Sequence, residues 1–121
     1  MPIQEFREFR ERMNERILGA ENLDIRRFFA LDSRVYEEGA LPTKTKELLG
    51  LVASLVLRCD DCVTYHIARC AEEGVSESEF FETFSVGLLV GGSIVIPHLR
   101  RAVATMDELR LGEASTNPKA T

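Results

Sequence analysis

Apolar residues recur at steps of three and four along almost the whole chain of 121 residues, which is the spacing of one face of an α-helix. No segment alternates apolar and polar residues for long enough to build a sheet, and the apolar run 94–96 is too short for one. The pattern predicts an all-α fold, a helical bundle of five to seven helices. The length fits a single domain, which we place at residues 1–111, and the small and polar residues 112–121 predict a flexible C-terminal tail.

Capping residues and glycines set the expected ends of the helices. Asn22 is a suitable N-cap for the second helix, and Ser76 with Glu79 forms the S-x-x-E capping box of the fifth. A separate short turn is expected from residue 32 to Gly39. The predicted helices span residues 3–18, 23–31, 43–57, 60–73, 76–90 and 96–110. The third of them is apolar around most of its circumference, so we expect it at the centre of the bundle.

Charge and hydropathy exclude several classes of protein. Fifteen basic and 20 acidic residues give a net charge of −5, whereas nucleic-acid-binding domains carry a basic surplus, so we expect no nucleic acid partner. No run of about 18 apolar residues exists, so we expect no membrane span. The residues up to Arg16 are charged throughout and lack the apolar core of a signal peptide, which makes a cytoplasmic location the expectation.

The three cysteines, Cys59, Cys62 and Cys70, are bunched within a short segment. In a reducing compartment they are not expected to serve as structural disulfides. Cys59, Cys62 and His66 occupy positions i, i+3 and i+7, which lie on one face of a helix. At the first of these spacings two Cα atoms are about 5–5.5 Å apart, a distance that a disulfide accepts. The pair can therefore form and break a bond with little movement of the backbone.

His66 follows Cys62 by one helical turn, within reach of its sulfur. A neutral imidazole there can take the thiol proton, and the imidazolium then favours the thiolate. Free backbone amides at a helix start near Cys59 would favour the thiolate further. Glu47 in the preceding helix has two interpretations. It is either an exposed first-turn acid that interacts with the helix dipole, or the group that orients His66 and relays its proton.

Other roles for these residues remain open. A zinc site could use Cys59, Cys62 and His66 with one ligand from elsewhere, but structural zinc usually draws on two separate elements, so we expect no metal. The cysteines could also simply fill the core beside a buried histidine. Cys70 is expected to be a packed thiol, and His98, next to a proline at a helix start, to be structural or at an interface.

Glu47, Cys59, Cys62 and His66 together spell E-x11-C-x2-C-x3-H. This pattern resembles the motif of the alkylhydroperoxidase D (AhpD)-like branch of the carboxymuconolactone decarboxylase family. The runs 43–49, 91–93 and 100–103 are similar to that family too, and the resemblance covers about residues 30–110. It implies an AhpD-like helical fold, assembly into homo-trimers or homo-hexamers, and thiol-dependent reduction of hydroperoxides. Cys59 and Cys62 would be the redox pair, with His66 and Glu47 as the proton relay.

In the implied reaction one thiolate attacks the peroxide and becomes a sulfenic acid, and the other condenses with it to a disulfide. An external dithiol or a thioredoxin-like protein then reduces the enzyme, and no cofactor is required. The attacking cysteine stays open, because adjacency to His66 favours Cys62 whereas the helix-end position and expected exposure favour Cys59. Many peroxidases of the family have a histidine where this chain has Asp61, so we expect weaker stabilisation of the thiolate and a slower reaction.

Two further functions are compatible with the sequence. The family includes lactone decarboxylases that do not rely on a CxxC pair, and a cofactor-free decarboxylase or lyase would need a cationic pocket for its anionic lactone. Arg58, Arg100 and Arg101 are the candidates for such a pocket. The other function is that of a non-catalytic, redox-sensing helical oligomer, which would be oxidised reversibly without turnover.

Overall fold

The computed structural model describes the backbone of residues 2–116 and the side chains of residues 2–110. Within that part the chain forms six α-helices, one 3-10 turn and no strand. The helices are α1 (Ile3–Gly19), α2 (Leu23–Val35), α3 (Thr43–Val56), α4 (Asp60–Glu72), α5 (Glu77–Gly91) and α6 (Ile96–Thr116), and the 3-10 turn (Ser93–Val95) joins the last two. The predicted all-α bundle of five to seven helices is confirmed.

Helix α3 lies at the centre of the bundle, as the apolar pattern predicted, and shares that place with α4. It packs against both α4 and α5, and α4 packs in turn against α6. Leu51 and Leu55 of α3 are fully buried, and each contributes about 1.5–3 kcal/mol by leaving water. The rest of the core comes from the other three helices and the turns between them: Val63, Ile67, Cys70, Val75, Phe80, Phe84, Val95, Ala102 and Met106. Helices α3 and α4 thus pack against each other within the apolar core.

Local capping chemistry places most helix ends where the sequence predicts them. The Ser76 hydroxyl accepts a hydrogen bond from the Glu79 amide at 3.2 Å, and the Glu79 carboxylate accepts one from the Ser76 amide at 2.8 Å. Asn22 caps α2 by accepting from the Ile25 amide. Gly74 follows the end of α4 with φ of 80°, the left-handed conformation that glycine adopts without strain.

The end of α2 differs from the prediction of a separate turn at residue 32, which is wrong. The helix continues to Val35 because the ammonium of Lys46, from α3, donates to the Val35 and Glu37 carbonyls at 2.9 and 2.7 Å. Carbonyls at a helix end lack partners within the helix, and this side chain supplies one. At the other end of the chain, α6 extends to Thr116 and so enters the segment expected to be a tail. Residues 117–121 lie outside the described residues.

The two N-terminal helices lie at the periphery. Phe6 is the one buried side chain of α1, and α2, which is described throughout, buries none. Two apolar faces remain exposed. The α2 face consists of Leu23, Ile25, Phe28, Leu31 and Val35, and the α5 face of Phe81, Val86, Leu89 and Val90. Exposed groups of large apolar side chains are typical of interaction surfaces. Among the described residues, no helix is long and apolar enough to cross a membrane.

Candidate functional site

Cys59 and Cys62 are joined by a disulfide at the start of α4, with their Cα atoms 5.3 Å apart, within the range that the spacing predicted. Cys59 is the N-cap residue of the helix, and its sulfur accepts a hydrogen bond from the Cys62 amide at 3.3 Å. Unpaired amides and the helix dipole at this end favour a negatively charged sulfur. The disulfide therefore lies where its reduction to a thiolate is stabilised by the backbone.

The turn that leads into the disulfide holds a backbone conformation that its residue seldom adopts. Arg58 has φ of 60°, in the left-handed region, which costs a non-glycine residue about 1–2 kcal/mol. Hydrogen bonds from the Arg58 amide to the Leu55 carbonyl and from the Cys59 amide to the Ser54 carbonyl hold this turn in place. They fix the entry into α4 and hence the position of Cys59.

The two cysteines differ in exposure, in the opposite sense to the sequence expectation. Cys62 is exposed and Cys59 is half-buried. The expectation that Cys59 is the exposed cysteine is wrong, because its N-cap position places it within the turn between α3 and α4. Cys62, on the first turn of α4, is the more exposed of the two residues.

Glu47 and His66 form a buried pair between α3 and α4. The His66 Nδ1 atom lies 2.9 Å from a Glu47 carboxylate oxygen, and the two residues are 8% and 1% exposed. The interpretation of Glu47 as an exposed first-turn acid is therefore wrong. A carboxylate can only accept, so Nδ1 carries the proton of this hydrogen bond and a neutral His66 has its lone pair on Nε2. The second Glu47 oxygen lies 3.6 Å from the Arg69 guanidinium, so the buried carboxylate has a cation nearby.

Cys62 and His66 open into the same cavity of about 360 Å³. Its remaining walls come from α1, α2 and α4: Phe6, Phe9, Arg10, Asn14, Asp32, Asp61 and Tyr65. The Arg10 guanidinium stacks over the Tyr65 ring at 4.2 Å from its centroid, and the Tyr65 ring meets His66 edge-on at 5.1 Å. The sequence predicted only that the phenylalanines of α1 share one face of that helix. Nothing in the local pattern indicated that this face covers the cysteines.

A second polar cluster ties α6 to the start of α4. The Asp60 carboxylate accepts hydrogen bonds from His98 Nδ1 and from the Arg101 guanidinium, both at 2.7 Å. Burial acts to raise the pKa of Asp60, but the hydrogen bond from His98 and the charges of His98 and Arg101 outweigh it, so the pKa is lowered. His98 thus has the structural role expected of it, and Arg101 is paired with an acid.

The third cysteine is separate from this chemistry. Cys70 is a free thiol with no exposed surface, and burial, followed by the charge of Glu47, raises its pKa to about 12. It is the packed thiol that the sequence predicted. Within the described residues, no group of three or more histidine, cysteine or acidic side chains has an arrangement that could hold a metal ion.

These features define a class of all-α protein in which a CxxC disulfide begins a central helix beside a buried His–Glu pair. The model of the Carboxymuconolactone decarboxylase family matches residues 25–105, about two thirds of the chain. The chain belongs to this family, and the resemblance carried by Glu47, Cys59, Cys62 and His66 is confirmed at that level.

Solved structures of the family share the fold. TM1620 from Thermotoga maritima is 56% identical with a TM-score of 0.90 in one crystal structure, which covers 93% of this chain and 98% of that one. A second structure of it is 54% identical with a TM-score of 0.86 and covers 97% of each chain. That protein is described as a carboxymuconolactone decarboxylase family protein with a possible involvement in an antioxidative response.

More distant relatives extend the likeness. A carboxymuconolactone decarboxylase family protein from Legionella pneumophila has 24% identity and a TM-score of 0.64, covers 87% of both chains, and shares the fold. An uncharacterised protein of the cox locus of Paracoccus denitrificans is 28% identical over 82 residues, which is 68% of this chain and 74% of that protein.

Proposed function

We propose that this protein reduces hydroperoxides through the Cys59–Cys62 pair, as a peroxiredoxin-type antioxidant enzyme. One observation carries the proposal: the exposed Cys62 and His66, which is paired with the buried Glu47, line one cavity, and a second cysteine lies at disulfide distance. The likeness to TM1620, whose description names an antioxidative response, supports the same class of activity.

Cys62 is the attacking cysteine in this proposal, because it is exposed and shares the cavity with His66. His66 takes the thiol proton on Nε2 while Glu47 holds the Nδ1 side. The Cys62 thiolate attacks one peroxide oxygen, the O–O bond breaks, and the imidazolium returns the proton to the leaving alkoxide. The products are one alcohol and a sulfenic acid on Cys62.

Cys59 then resolves the sulfenic acid. Its thiolate, stabilised by the Cys62 amide, attacks the Cys62 sulfur, the S–O bond breaks, and the oxygen leaves as water with the proton from the Cys59 thiol. An external dithiol, free or on a thioredoxin-like protein, attacks the exposed Cys62 sulfur and expels Cys59 as the stabilised thiolate. The second thiol of the donor closes its own disulfide and releases Cys62, which completes the cycle.

We further propose that the protein works in the cytoplasm as a homo-trimer or homo-hexamer. The exposed apolar faces of α2 and α5 support an assembly, since a second copy that covered them would remove these side chains from water. Sedimentation analysis should give three or six copies at micromolar concentration. A monomer at that concentration would contradict the assembly without affecting the thiol chemistry.

The test of the proposed activity combines thiol counting with a chemical trap. One equivalent of an alkyl hydroperoxide should remove two thiols per chain from the reduced protein and leave the buried third thiol, Cys70, free. In a Cys59→Ser variant, the sulfenic acid on Cys62 has no second cysteine to condense with, so dimedone should react with it and label Cys62. In a matched Cys62→Ser variant, no label should form on Cys59. Persistence of both thiols in the wild type would refute peroxide reduction. Reversible loss of the thiols without turnover on any dithiol would leave a redox sensor.

A further inference from the structure

A glycine of α3 makes room between His66 and a tyrosine that the mechanism above does not use. A Cβ atom added to Gly50 would lie 2.7 Å from the Tyr36 hydroxyl oxygen, 2.9 Å from His66 Nε2 and 2.6 Å from its Cε1. Side-chain carbons do not approach other atoms so closely, so any other residue at position 50 would displace His66, Tyr36 or both. The bare backbone of Gly50 is what allows the phenol and the imidazole to approach each other.

The Tyr36 hydroxyl oxygen and His66 Nε2 lie close to each other. Both are close to the same point, so the Tyr36 oxygen and His66 Nε2 are at most 5.6 Å apart, the sum of their two distances from it. A single bridging water spans about 5.5 Å, so one water molecule can connect the two atoms. The two rings pack at 5.4 Å between centroids with a tilt of 43°.

Tyr36 is held in this place by a contact that also involves the neighbour of Glu47. It is the C-cap residue of α2, and the Lys46 ammonium donates to the carbonyls on either side of it, those of Val35 and Glu37. Lys46 precedes Glu47 on α3. Helix α3 therefore positions both neighbours of the imidazole. It supplies Glu47 at Nδ1, and through Lys46 it holds Tyr36 on the Nε2 side.

The chemistry of the two groups is complementary. Nδ1 of His66 is occupied by Glu47, so the neutral ring presents a lone pair on Nε2 that can accept a hydrogen bond. The Tyr36 hydroxyl is a donor, and its pKa is raised by burial and then by the charge of Glu47, so the phenol keeps its proton to higher pH.

We propose that Tyr36 is a positioning residue, whose hydroxyl donates to Nε2 of His66 directly or through one water and holds the imidazole from the side opposite Glu47. The hydrogen bond itself is independent of the reaction. Its value for thiol chemistry rests on the proposed function: the hydroxyl orients the neutral ring, releases the Nε2 lone pair when that atom takes the Cys62 proton, and its oxygen then accepts a hydrogen bond from the imidazolium N–H.

The hydrogen bond is tested by nitrogen-15 NMR of the two histidines, with Tyr36→Phe compared with Tyr65→Phe. The second variant is a matched control, since both tyrosine rings flank His66 and each substitution removes one hydroxyl. The His66 Nε2 resonance should move in Tyr36→Phe and stay in Tyr65→Phe, with the His98 resonances as an internal reference. An unmoved resonance in Tyr36→Phe, or equal shifts in both variants, would overturn the proposal.

The role in catalysis is tested by the rate at which peroxide oxidises the reduced protein between pH 5 and 9. Tyr36→Phe should lower this rate roughly three- to ten-fold, the usual effect of one lost hydrogen bond, and should change the pH profile while the melting temperature stays within about 2 °C. Lys46→Met should lower the rate less. A wild-type rate and profile in Tyr36→Phe would refute the positioning role. If the wild type does not consume peroxide and the Nε2 resonance still moves, the proposed function fails and the hydrogen bond stands.

Discussion

Replacing Glu47 by glutamine removes the negative charge of the buried pair and leaves its shape almost unchanged. The glutamine amide can still accept a hydrogen bond from His66 Nδ1, so the fold and the ring orientation should persist. A hydrogen bond that involves a charged partner stabilises by about 1.5–3 kcal/mol and a neutral one by about 0.5–1.5 kcal/mol. The substitution therefore weakens the support of a protonated His66 by about 1–1.5 kcal/mol.

The weaker hydrogen bond raises the energy of the step in which His66 holds the Cys62 proton. Because 1.4 kcal/mol is a factor of ten in rate, Glu47→Gln should oxidise roughly five- to ten-fold more slowly than the wild type. Removing the side chain in Glu47→Ala would instead leave a void in the core and the buried His66 Nδ1 without its partner, and its loss of activity would be confounded by instability. The glutamine variant is therefore the informative one.

The assay is a stopped-flow measurement of thiol loss with an alkyl hydroperoxide at pH 7, with Glu82→Gln as the control. Glu82 is exposed on α5, so this control makes the same chemical change on the surface. It should react at the wild-type rate, and circular dichroism should show both variants folded. If Glu47→Gln reacts as fast as Glu82→Gln, the carboxylate does not support proton transfer and the proposed relay is wrong.

Three further expectations concern the titratable side chains of Asp61, Cys70 and Asp60. Asp61→His should raise the oxidation rate roughly three-fold, because removing a negative charge beside Cys62 changes the energy of its thiolate by about 0.5–1 kcal/mol near the surface; a slower variant would contradict this. Because the pKa of Cys70 is raised in the folded protein, its contribution to stability is fully present below pH 9 and is lost as the pH rises towards 12. In urea unfolding, the free energy of unfolding of the wild type should therefore fall by about 2 kcal/mol more than that of Cys70→Ala between pH 8 and 10.5. Parallel losses in the two proteins would contradict this. The lowered pKa of Asp60 contributes stability that disappears as the pH falls through that pKa, so Asp60→Asn should melt at a lower temperature than the wild type at pH 7, and the difference should shrink towards pH 3.

Local chemistry explains which parts of the fold could be predicted. The capping box of Ser76 and Glu79 and the cap at Asn22 depend on residues three apart, and both formed as the sequence indicated. The end of α2 could not be predicted in the same way. It depends on Lys46, eleven residues beyond Val35, and on a packing of α3 that no local pattern specifies.

In the candidate site, too, local spacing predicted some features, whereas tertiary packing decides the others. The spacing of Cys59 and Cys62 predicted their 5.3 Å separation, since it is a property of one helical turn. Their relative exposure was predicted in the wrong order, because it depends on how the turn at Arg58 folds against α3. Glu47 was singled out by its place in the motif, whereas its burial follows from the packing of α3 against α4. Tyr36 gave no signal at all, since only the tertiary structure brings it to His66.

The central claim is that the Cys59–Cys62 disulfide is one state of a catalytic cycle. The most direct test is the steady-state consumption of an alkyl hydroperoxide by the wild-type protein in the presence of a small dithiol, with the Cys59→Ser/Cys62→Ser variant as background. The proposed cycle predicts many turnovers per chain, with one alcohol formed for each dithiol oxidised. Consumption no faster than with the double variant would contradict it.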